Sequence, residues 1–234
     1  MSLHASANDK NDKEEVLLCF SGGKDSALAL YEIQQSARYR LSALLTTITA
    51  DYDRISMHGV RRELLQRQAQ TTGYPLGKVL ISAGGDNDEY EARMRDVLTR
   101  FRDTGVRKVA FGDLFLEDVR KYREDNLAKV DMQAIFPLWH KPTAQLAHKF
   151  IDAGFKAVIT CVDSQLLDGQ FVGREFDEKF LADLPPSVDP CGENGEFHSF
   201  VHAGPIFKHP IPFTLGQIVI RQDRFHFADL LPAI

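Results

Sequence analysis

The stretch VLLCFSGGKDS, residues 16–26, joins a continuously apolar run to a polar turn that contains two glycines. An apolar run such as residues 16–20 is typical of a strand covered on both faces in a parallel sheet. Glycines let the backbone approach a ligand closely, and the free N–H groups at the start of a helix attract an anion. The stretch therefore predicts a strand, a phosphate-binding loop and a helix, in that order.

Strand and helix patterns alternate along the next hundred residues. Aliphatic runs at residues 41–49, 76–82 and 108–114 predict three more strands, and a helix is predicted over residues 117–130. Further helical periods lie between these strands. This alternation is typical of βαβ units around a parallel sheet, in which ligands bind at the carboxyl ends of the strands.

The last third of the chain has a different pattern. It predicts a helix around residues 146–151, a strand over residues 157–162, a loop-rich stretch and a hairpin formed by residues 217–222 and 225–230. We therefore expect a smaller C-terminal α+β domain beside the main α/β domain. The expected division is a flexible tail at residues 1–14, a main domain at 15–136 and a substrate domain at 137–234.

The bulk composition narrows the function classes. The chain is 44% hydrophobic and 26% charged, with a formal net charge of -5, so no basic excess favours a nucleic-acid partner. No segment approaches the run of about 20 apolar residues that crosses a bilayer. Three widely spaced cysteines suit a reducing compartment, and we expect a cytoplasmic protein with no membrane partner. A homo-oligomer is left open.

The turn SGGKDS, residues 21–26, is not a Walker A motif, which has four residues between its first glycine and its Gly-Lys-Ser/Thr end. A simple tight turn capped by Ser26 is the alternative interpretation. In its context the turn resembles the PP-loop of the ATP pyrophosphatase superfamily, which cleaves ATP between the α and β phosphates. The resemblance implies ATP binding through Ser21, Gly22, Gly23, Lys24, Asp25 and Ser26.

Two further expectations follow for the nucleotide. An ionised Asp25 beside a polyphosphate is repelled unless a cation intervenes, so Mg²⁺ with Asp25 as a ligand is expected, although Asp25 could instead cap the helix. In this type of fold, residues 46–48 at the end of the second predicted strand flank the adenosine. The expected cofactors are therefore ATP and Mg²⁺.

A second polar constellation, DPCGENGEFHSFV, occupies residues 189–201. Its density of titratable groups before an apolar run favours chemistry over a mere solvated connector, because functional residues concentrate on loops held by a rigid scaffold. The spacing of Cys191, His198 and His202 matches no structural zinc pattern. A functional loop without zinc is the favoured interpretation.

This loop, together with residues 204–207, resembles the C-terminal signature of the diphthine-ammonia ligase family. Residues 112–124, 137–139 and 167–174 agree with that family in the same order, so the resemblance covers nearly the whole chain after the tail. Residues 51–61 resemble a bacterial-type branch. The family implies a Rossmann-like domain of the adenine nucleotide alpha hydrolase type, called HUP, and a ligase that adenylates a carboxylate, releases pyrophosphate and forms an amide.

For this reaction we expect catalytic roles for Lys24, Asp25, Asp113, Glu193, Glu196 and His198, the last four on the acceptor and ammonia side. Glu193 and Glu196 could instead ligate a metal or hold the loop closed. Glu196 or His198 is the expected proton acceptor. His58 and Arg61, one turn apart at a predicted helix start, could contact nucleotide or substrate or could be exposed structural residues.

The expected partners are ammonia and a carboxylate acceptor. The acceptor is diphthine on elongation factor 2 if the chain is orthologous to that family's enzymes, and a small molecule otherwise. Two alternatives remain from the sequence. One is a PP-loop enzyme that modifies tRNA, which lacks support from paired catalytic cysteines or a basic surface, and the other is a sensor that binds ATP without turnover.

Overall fold

A computed structural model describes residues 13–55 and 58–233 of the chain. Most of the predicted tail therefore lies outside the described residues. Within them, the chain forms two sheets with helices packed around the first, and no helix there is both long and apolar enough to cross a membrane.

Among the described residues, the first sheet has six strands and is mainly parallel. Strand β2 pairs in parallel with β1 on one side and β4 on the other, β1 pairs with β5, and β5 pairs with β6; only the short β3 is antiparallel. The strands are β1 (Glu14–Cys19), β2 (Tyr39–Thr49), β3 (Arg54–Ile55), β4 (Leu76–Ile81), β5 (Lys108–Ala110) and β6 (Gln133–Ile135).

Helices connect the parallel strands, as βαβ units require. They are α1 (Lys24–Gln35), α2 (Arg62–Thr72), α3 (Asn87–Asp103) and α4 (Glu117–Ala128). Helix α2 ends at Gly73, whose φ of +81° is a left-handed conformation that glycine adopts without strain. This arrangement brings the carboxyl ends of β1, β2 and β5 to one edge of the sheet.

The second sheet is antiparallel and has the strand order β8-β7-β10-β9. Its members are β7 (Lys156–Asp163), β8 (Phe197–Ala203), β9 (Phe213–Arg221) and β10 (Phe225–Pro232), with helices α5 (Thr143–Asp152) and α6 (Glu178–Asp183) in the same part of the chain. The predicted fold class, a Rossmann-like α/β domain with a smaller C-terminal α+β region, is confirmed.

Several predicted bounds differ from the structure. The strand predicted at residues 108–114 ends at Ala110, because the chain then leaves the sheet toward the phosphate loop. The short strand β6 was not predicted. The hairpin begins at Phe213, four residues earlier than expected, and its turn contains Gln222 and Asp223 at positive φ.

The two sheets share a hydrophobic core. Buried side chains of β1 and α1 belong to the same cluster as those of β7 and β8. At their junction, the ring of Tyr31 on α1 packs edge-on against Phe155, which stacks on Phe150 of α5. The division at residues 136 and 137 stays a prediction, but the core fixes the second sheet against the helix that follows the phosphate loop.

Candidate active site

The phosphate loop connects β1 to α1 at the carboxyl edge of the first sheet. Gly22 has a φ of +81°, and a Cβ added there would lie 2.3 Å from Oε1 of Gln68. The backbone N–H of Gly23 donates to Oγ of Ser21 at 3.3 Å, and Oγ of Ser26 donates to the carbonyl of Gly23 at 2.9 Å. Glycine is therefore required at position 22 both by conformation and by space.

Strand β8 packs directly against this loop. The carbonyl oxygen of Gly22 accepts from the N–H of Val201 at 2.9 Å and from Nε2 of Gln68, also at 2.9 Å. The same Nε2 donates to the carbonyl of Val201 at 2.6 Å. The fully buried Gln68 thus joins the phosphate loop to β8, and the antiparallel sheet forms part of the loop's support.

Lys24, the first residue of α1, contacts the C-terminal loop at residues 189–201. Its side chain is only 4% exposed, and its Nζ lies 2.8 Å from Oδ2 of Asp25 and donates to the carbonyl of Cys191. Burial acts to lower the pKa of Lys24, but the carboxylate of Asp25 outweighs it, so the pKa is raised and the ammonium form is favoured. Lys24 therefore carries a fixed positive charge beside the phosphate loop.

A cavity of about 910 Å³ opens above the loop. Its size falls within the range of small-molecule sites. Of the residues predicted to form the site, it is lined by Ser21, Gly23, Lys24, Asp25, Ser26, Asp113, Glu193 and His198. The structure thus gathers the phosphate loop and most of the predicted acceptor-side residues around one cavity. The two groups are far apart in sequence: Lys24 and Cys191, which are in contact, are separated by 167 positions.

The part of the cavity where the sequence predicts the adenosine is lined by the end of β2 and the start of α3. Thr46 is 4% exposed, and its Oγ1 has no hydrogen-bond partner among the described residues. An unsatisfied buried hydroxyl costs about 1–3 kcal/mol, so a ligand that supplies a partner is favoured here. Together with the size of the cavity and the phosphate loop, this hydroxyl fits an adenine nucleotide.

The segment that follows β5 reaches the loop at Gly112. A Cβ at this position would lie 2.9 Å from the carbonyl carbon of Asp25, so only glycine lets the two backbones approach so closely. The next residue, Asp113, accepts from Nε of Arg123 at 3.3 Å. Arg123 on α4 belongs to the charged segment that resembles the family, but no site role was predicted for it; it sets the position of a predicted site carboxylate.

Glu193 faces the cavity from the C-terminal loop. Its Oε1 accepts from the N–H of Leu114 at 2.7 Å, a contact between the C-terminal loop and the segment that follows β5. Burial raises the pKa of Glu193 to about 7, and the carboxylate of Asp25 acts in the same direction. A carboxyl group with such a pKa can exchange a proton near neutral pH, which suits general acid–base chemistry.

Glu196 occupies a different position. It is 3% exposed and does not line the cavity. Its Oε1 accepts from the N–H of Asp189 at 2.9 Å and from Nδ2 of Asn194 at 3.0 Å, while Oε2 accepts from the N–H of Asn194 at 2.9 Å. The carboxylate binds the backbone of its own loop. Of the two predicted proton acceptors, Glu196 and His198, only His198 therefore faces the cavity.

His198 lies against His58, with ring centroids 4.6 Å apart and planes inclined by 39°. Nδ1 of His58 lies 3.3 Å from the carbonyl of Ser199. Burial lowers the pKa of His58 to about 3 and that of His198 to about 4, and the positive charge of Lys24 acts in the same direction on both. The two rings are therefore neutral near pH 7.

Arg61, considered with His58 in the sequence, points elsewhere. Its guanidinium forms a two-point contact with Asp229 on β10, with Nη2 2.7 Å from Oδ2. Arg54 contacts the same carboxylate at 3.0 Å. The ion pairs fasten the segment that carries His58 to the antiparallel sheet, so Arg61 takes the structural role that the sequence left open.

The three cysteines lie in surroundings that suppress their ionisation. Cys161 and Cys191 are buried, and burial raises the pKa of all three cysteines, to about 12 for Cys19 and Cys161. These thiols are protonated and unreactive. Within the described part of the chain, no three histidine, cysteine or acidic side chains cluster as a metal site.

Comparison with known proteins agrees with this geometry. The N-terminal domain of diphthamide synthase matches residues 14–133, and its C-terminal domain matches residues 142–225. The chain is 26% identical over 225 residues to the diphthine–ammonia ligase of Danio rerio, which covers 87% of this chain and 88% of the relative. It is 24% identical over 231 residues to that of Bos taurus, covering 87% and 84%.

A fungal relative extends the comparison. The diphthine–ammonia ligase of Schizosaccharomyces pombe is 25% identical over 227 residues, which cover 88% of this chain and 37% of that protein. The resemblance drawn from the motifs is thereby confirmed. Since the two domain matches span the phosphate loop, the C-terminal loop and most of the residues between, the chain belongs to the diphthamide synthase family.

Proposed function

We propose that the chain is an ATP-dependent carbon–nitrogen ligase that activates a carboxylate as its adenylate and converts it to an amide with ammonia. The observation that carries the proposal is the shared cavity, which is lined both by the phosphate loop and by Glu193 and His198. The names of the relatives, all diphthine–ammonia ligases, agree with this class of reaction.

The chemistry explains why both parts are needed. A carboxylate is a poor electrophile because its departing oxygen would carry a full charge. Attack of the carboxylate on the α-phosphorus of ATP breaks the bond to the β phosphate and releases pyrophosphate. Attack of ammonia on the resulting acyl group then forms the amide and releases AMP. An active site for these two reaction steps needs groups that stabilise the charge on pyrophosphate and a proton acceptor for the attacking nitrogen.

The residues near α1 suit the first requirement. The start of α1 carries the partial positive charge of the helix, and Lys24 adds a full one. Both stabilise charge that develops on pyrophosphate as it departs. In the proposal, Asp25 and the phosphates hold Mg²⁺, which commonly takes one or two protein carboxylates and completes its coordination with phosphate and water. Bound there, Mg²⁺ would neutralise phosphate charge.

The residues of the C-terminal loop and β8 suit the second requirement. Glu193, with its pKa of about 7, is partly ionised at neutral pH and can accept a proton from the nitrogen nucleophile. The neutral ring of His198 can accept or donate a hydrogen bond without bringing a positive charge beside Lys24. In our proposal Glu193 is the proton acceptor and His198 positions the acceptor or the nucleophile, while Glu196 shapes the loop.

The acceptor is a carboxylate, and the relatives make a diphthine-type carboxylate on a protein the first to test. A small-molecule carboxylate is the other. Purified protein would be given ATP, Mg²⁺ and ¹⁵N-labelled ammonium with either acceptor, and AMP, pyrophosphate and the labelled amide would be measured. We expect equal amounts of AMP and pyrophosphate that depend on the acceptor, and label in the product.

A matched pair of variants tests the role of the phosphate loop. Ser21→Ala removes a hydroxyl from the loop, whereas Ser164→Ala removes one from an exposed turn. We expect kcat/KM for ATP to fall at least about tenfold in the first variant, equivalent to about 1.4 kcal/mol, and to stay unchanged in the second. ADP and phosphate as products would contradict the proposal, and tight ATP binding with no cleavage under any acceptor would favour a sensor.

A further inference from the structure

The outer strand of the antiparallel sheet, β9, has a free edge. It pairs with β10 on one side, and no other described strand pairs with it. The N–H and C=O groups along such an edge are available to another strand. Position and pairing thus make β9 the place where the sheet can be extended.

The side chains of β9 are unusually apolar for a free edge. Ile218, Val219 and Ile220 are 53%, 42% and 56% exposed, and Leu215 is 49% exposed. Successive residues of a strand point to opposite faces, so apolar surface is exposed on both faces of the sheet here. Solvent-exposed apolar patches of this kind mark interaction sites in folded proteins.

The usual protections of an edge are weak in this segment. Edge strands are normally guarded by charged side chains, proline or bulges. A bulge lies at residues 216–217, opposite Asp229, but residues 218–221 beyond it pair regularly with β10. Arg221 is the single charged residue of β9, and its guanidinium lies 5.5 Å from the ring of Tyr52. The regular segment therefore has no charge at its centre.

We propose that β9 is the interface of a symmetric homodimer, in which residues 217–221 pair antiparallel with the same residues of a second copy. The two four-stranded sheets then form one continuous sheet across a two-fold axis. This inference concerns a surface away from the cavity and does not depend on the proposed ligase activity.

A second copy fits this edge because the segment is complementary to itself. With Val219 opposite Val219 of the second copy, Ile218 lies opposite Ile220, and each aliphatic side chain meets another aliphatic one. Arg221 then lies opposite Gln217, an uncharged residue that can accept its hydrogen bonds. The two copies of Arg221 are about 13 Å apart along the strands, beyond the screening length of about 8 Å at physiological salt.

The net charge of the chain limits the surfaces through which two copies can meet. The chain has a net charge of -5, so two copies repel each other over most surfaces. The proposed interface pairs residues 217–221 of each copy, in which Arg221 is the one charged side chain. Contact through β9 therefore avoids like charges at short range, and it covers the exposed apolar side chains on both faces.

Cysteine cross-linking tests the register. Directly opposed residues of antiparallel strands have Cα atoms about 4.5–5.5 Å apart, within the range that a disulfide spans. Val219→Cys should therefore form a disulfide-linked dimer on mild oxidation, seen by non-reducing electrophoresis. The control is Leu215→Cys on the same strand, similarly exposed, whose copies would be about 26 Å apart and should stay unlinked.

Sedimentation equilibrium tests the dimer itself on the full chain. We expect the wild type to have twice the monomer mass of 26.4 kDa, and Val219→Lys to weaken dimerisation at least about tenfold while keeping its circular dichroism spectrum. Leu166→Lys, which changes a similarly exposed leucine in a turn, should remain dimeric. A monomeric wild type, a Val219→Lys variant as dimeric as the wild type, or equal cross-linking of both cysteine variants would overturn the proposal.

Discussion

The backbone N–H of Lys24 donates a hydrogen bond of 3.1 Å to Oγ of Ser199. This bond joins the first turn of α1 to the middle of β8. A helix N-terminus has N–H groups without partners inside the helix, and a serine hydroxyl usually supplies one from the residue just before the helix. Here the capping hydroxyl comes from a distant strand, so the start of α1 is completed by the C-terminal sheet.

Replacement of this cap should reduce stability by a small and measurable amount. We expect Ser199→Ala to lower the free energy of unfolding by about 1 kcal/mol, the usual effect of losing a cap, and to raise KM for ATP because the loop loses a contact with β8. Urea unfolding and steady-state kinetics measure the two effects. Ser164→Ala, at an exposed position, should match the wild type; equal behaviour of both variants would show that the cap contributes nothing.

The contact of Gln68 with both Gly22 and Val201 leads to a second prediction. Gln68→Met keeps the size of the side chain but removes the donor, so the carbonyl of Val201 loses a buried partner. We expect a loss of about 1–3 kcal/mol in the free energy of unfolding and weaker ATP binding. Gln70→Met, two residues away on the exposed side of α2, is the control and should have little effect.

The raised pKa of Glu193 predicts a pH dependence of stability. Its pKa is about 7 in the folded protein against 4.5 for the unperturbed group, so the folded state binds more protons between these values. The stabilising contribution is complete below pH 4.5 and is lost as pH rises through about 7. In the wild type, the free energy of unfolding should therefore fall by an amount on the order of 2–3 kcal/mol between pH 4.5 and 7 because of Glu193, and Glu193→Gln should abolish this fall.

Denaturant unfolding at a series of pH values would measure this contribution. The quantity to compare is the slope of the free energy of unfolding against pH, for the wild type and for Glu193→Gln. If the two proteins show the same slope between pH 4.5 and 7, Glu193 is not protonated in the folded protein and its proposed role as proton acceptor loses its basis.

The buried histidine pair predicts the opposite sign. The pKa of His198 is about 4 in the folded protein against 6.5 for the unperturbed group, so the folded state binds fewer protons. Its contribution to stability is present above pH 6.5 and is lost as pH falls toward 4. In the wild type, the free energy of unfolding should fall by an amount on the order of 2–3 kcal/mol as pH drops from 6.5 to 4 because of His198. His198→Asn should abolish this fall, which the same unfolding series measures.

His209 supplies the control for this measurement. It is exposed, so His209→Asn should leave the acid limb of the stability profile unchanged. An NMR titration of the imidazole signals is a direct check. A His198 signal that titrates near pH 6.5 in the folded protein would contradict the buried, neutral pair.

The strand, turn and helix at the start of the first sheet and the fold class were predictable because they depend on local patterns. The apolar run of β1, the two glycines and the helix that follows are all contiguous in sequence. The alternation of strands and helices then leaves few arrangements for the first sheet. Residue types alone also indicated that the loop at residues 189–201 would carry polar site residues.

The contacts that support the site were not predictable in the same way. Ser199 lay inside the predicted functional loop but was not selected, since its role depends on a residue 175 positions earlier. Gln68 carried a signal, because it is a polar residue in an otherwise apolar helical stripe that includes Leu64 and Leu65. Such a residue is buried only with specific partners, and the partners are known only from the fold.

Glu196 illustrates the same limit for a carboxylate. Its sequence neighbourhood is as polar as that of Glu193, and the two residues are separated by only two others. One carboxylate faces the cavity and the other binds N–H groups of its own loop. The turn at Gly192 and Gly195, both at positive φ, decides between these directions, and residue type does not encode which way each side chain turns.

The joining of α1 to β8 has a consequence for how the protein is made. A ribosome synthesises the phosphate loop first and Ser199 175 residues later, which takes on the order of 10–40 s at usual bacterial or eukaryotic rates. During that interval the nascent loop lacks its cap and the partner of Gln68 on β8. The first turn of α1 therefore gains its cap, and Gln68 its partner on β8, only after a segment made much later than the loop has folded against it.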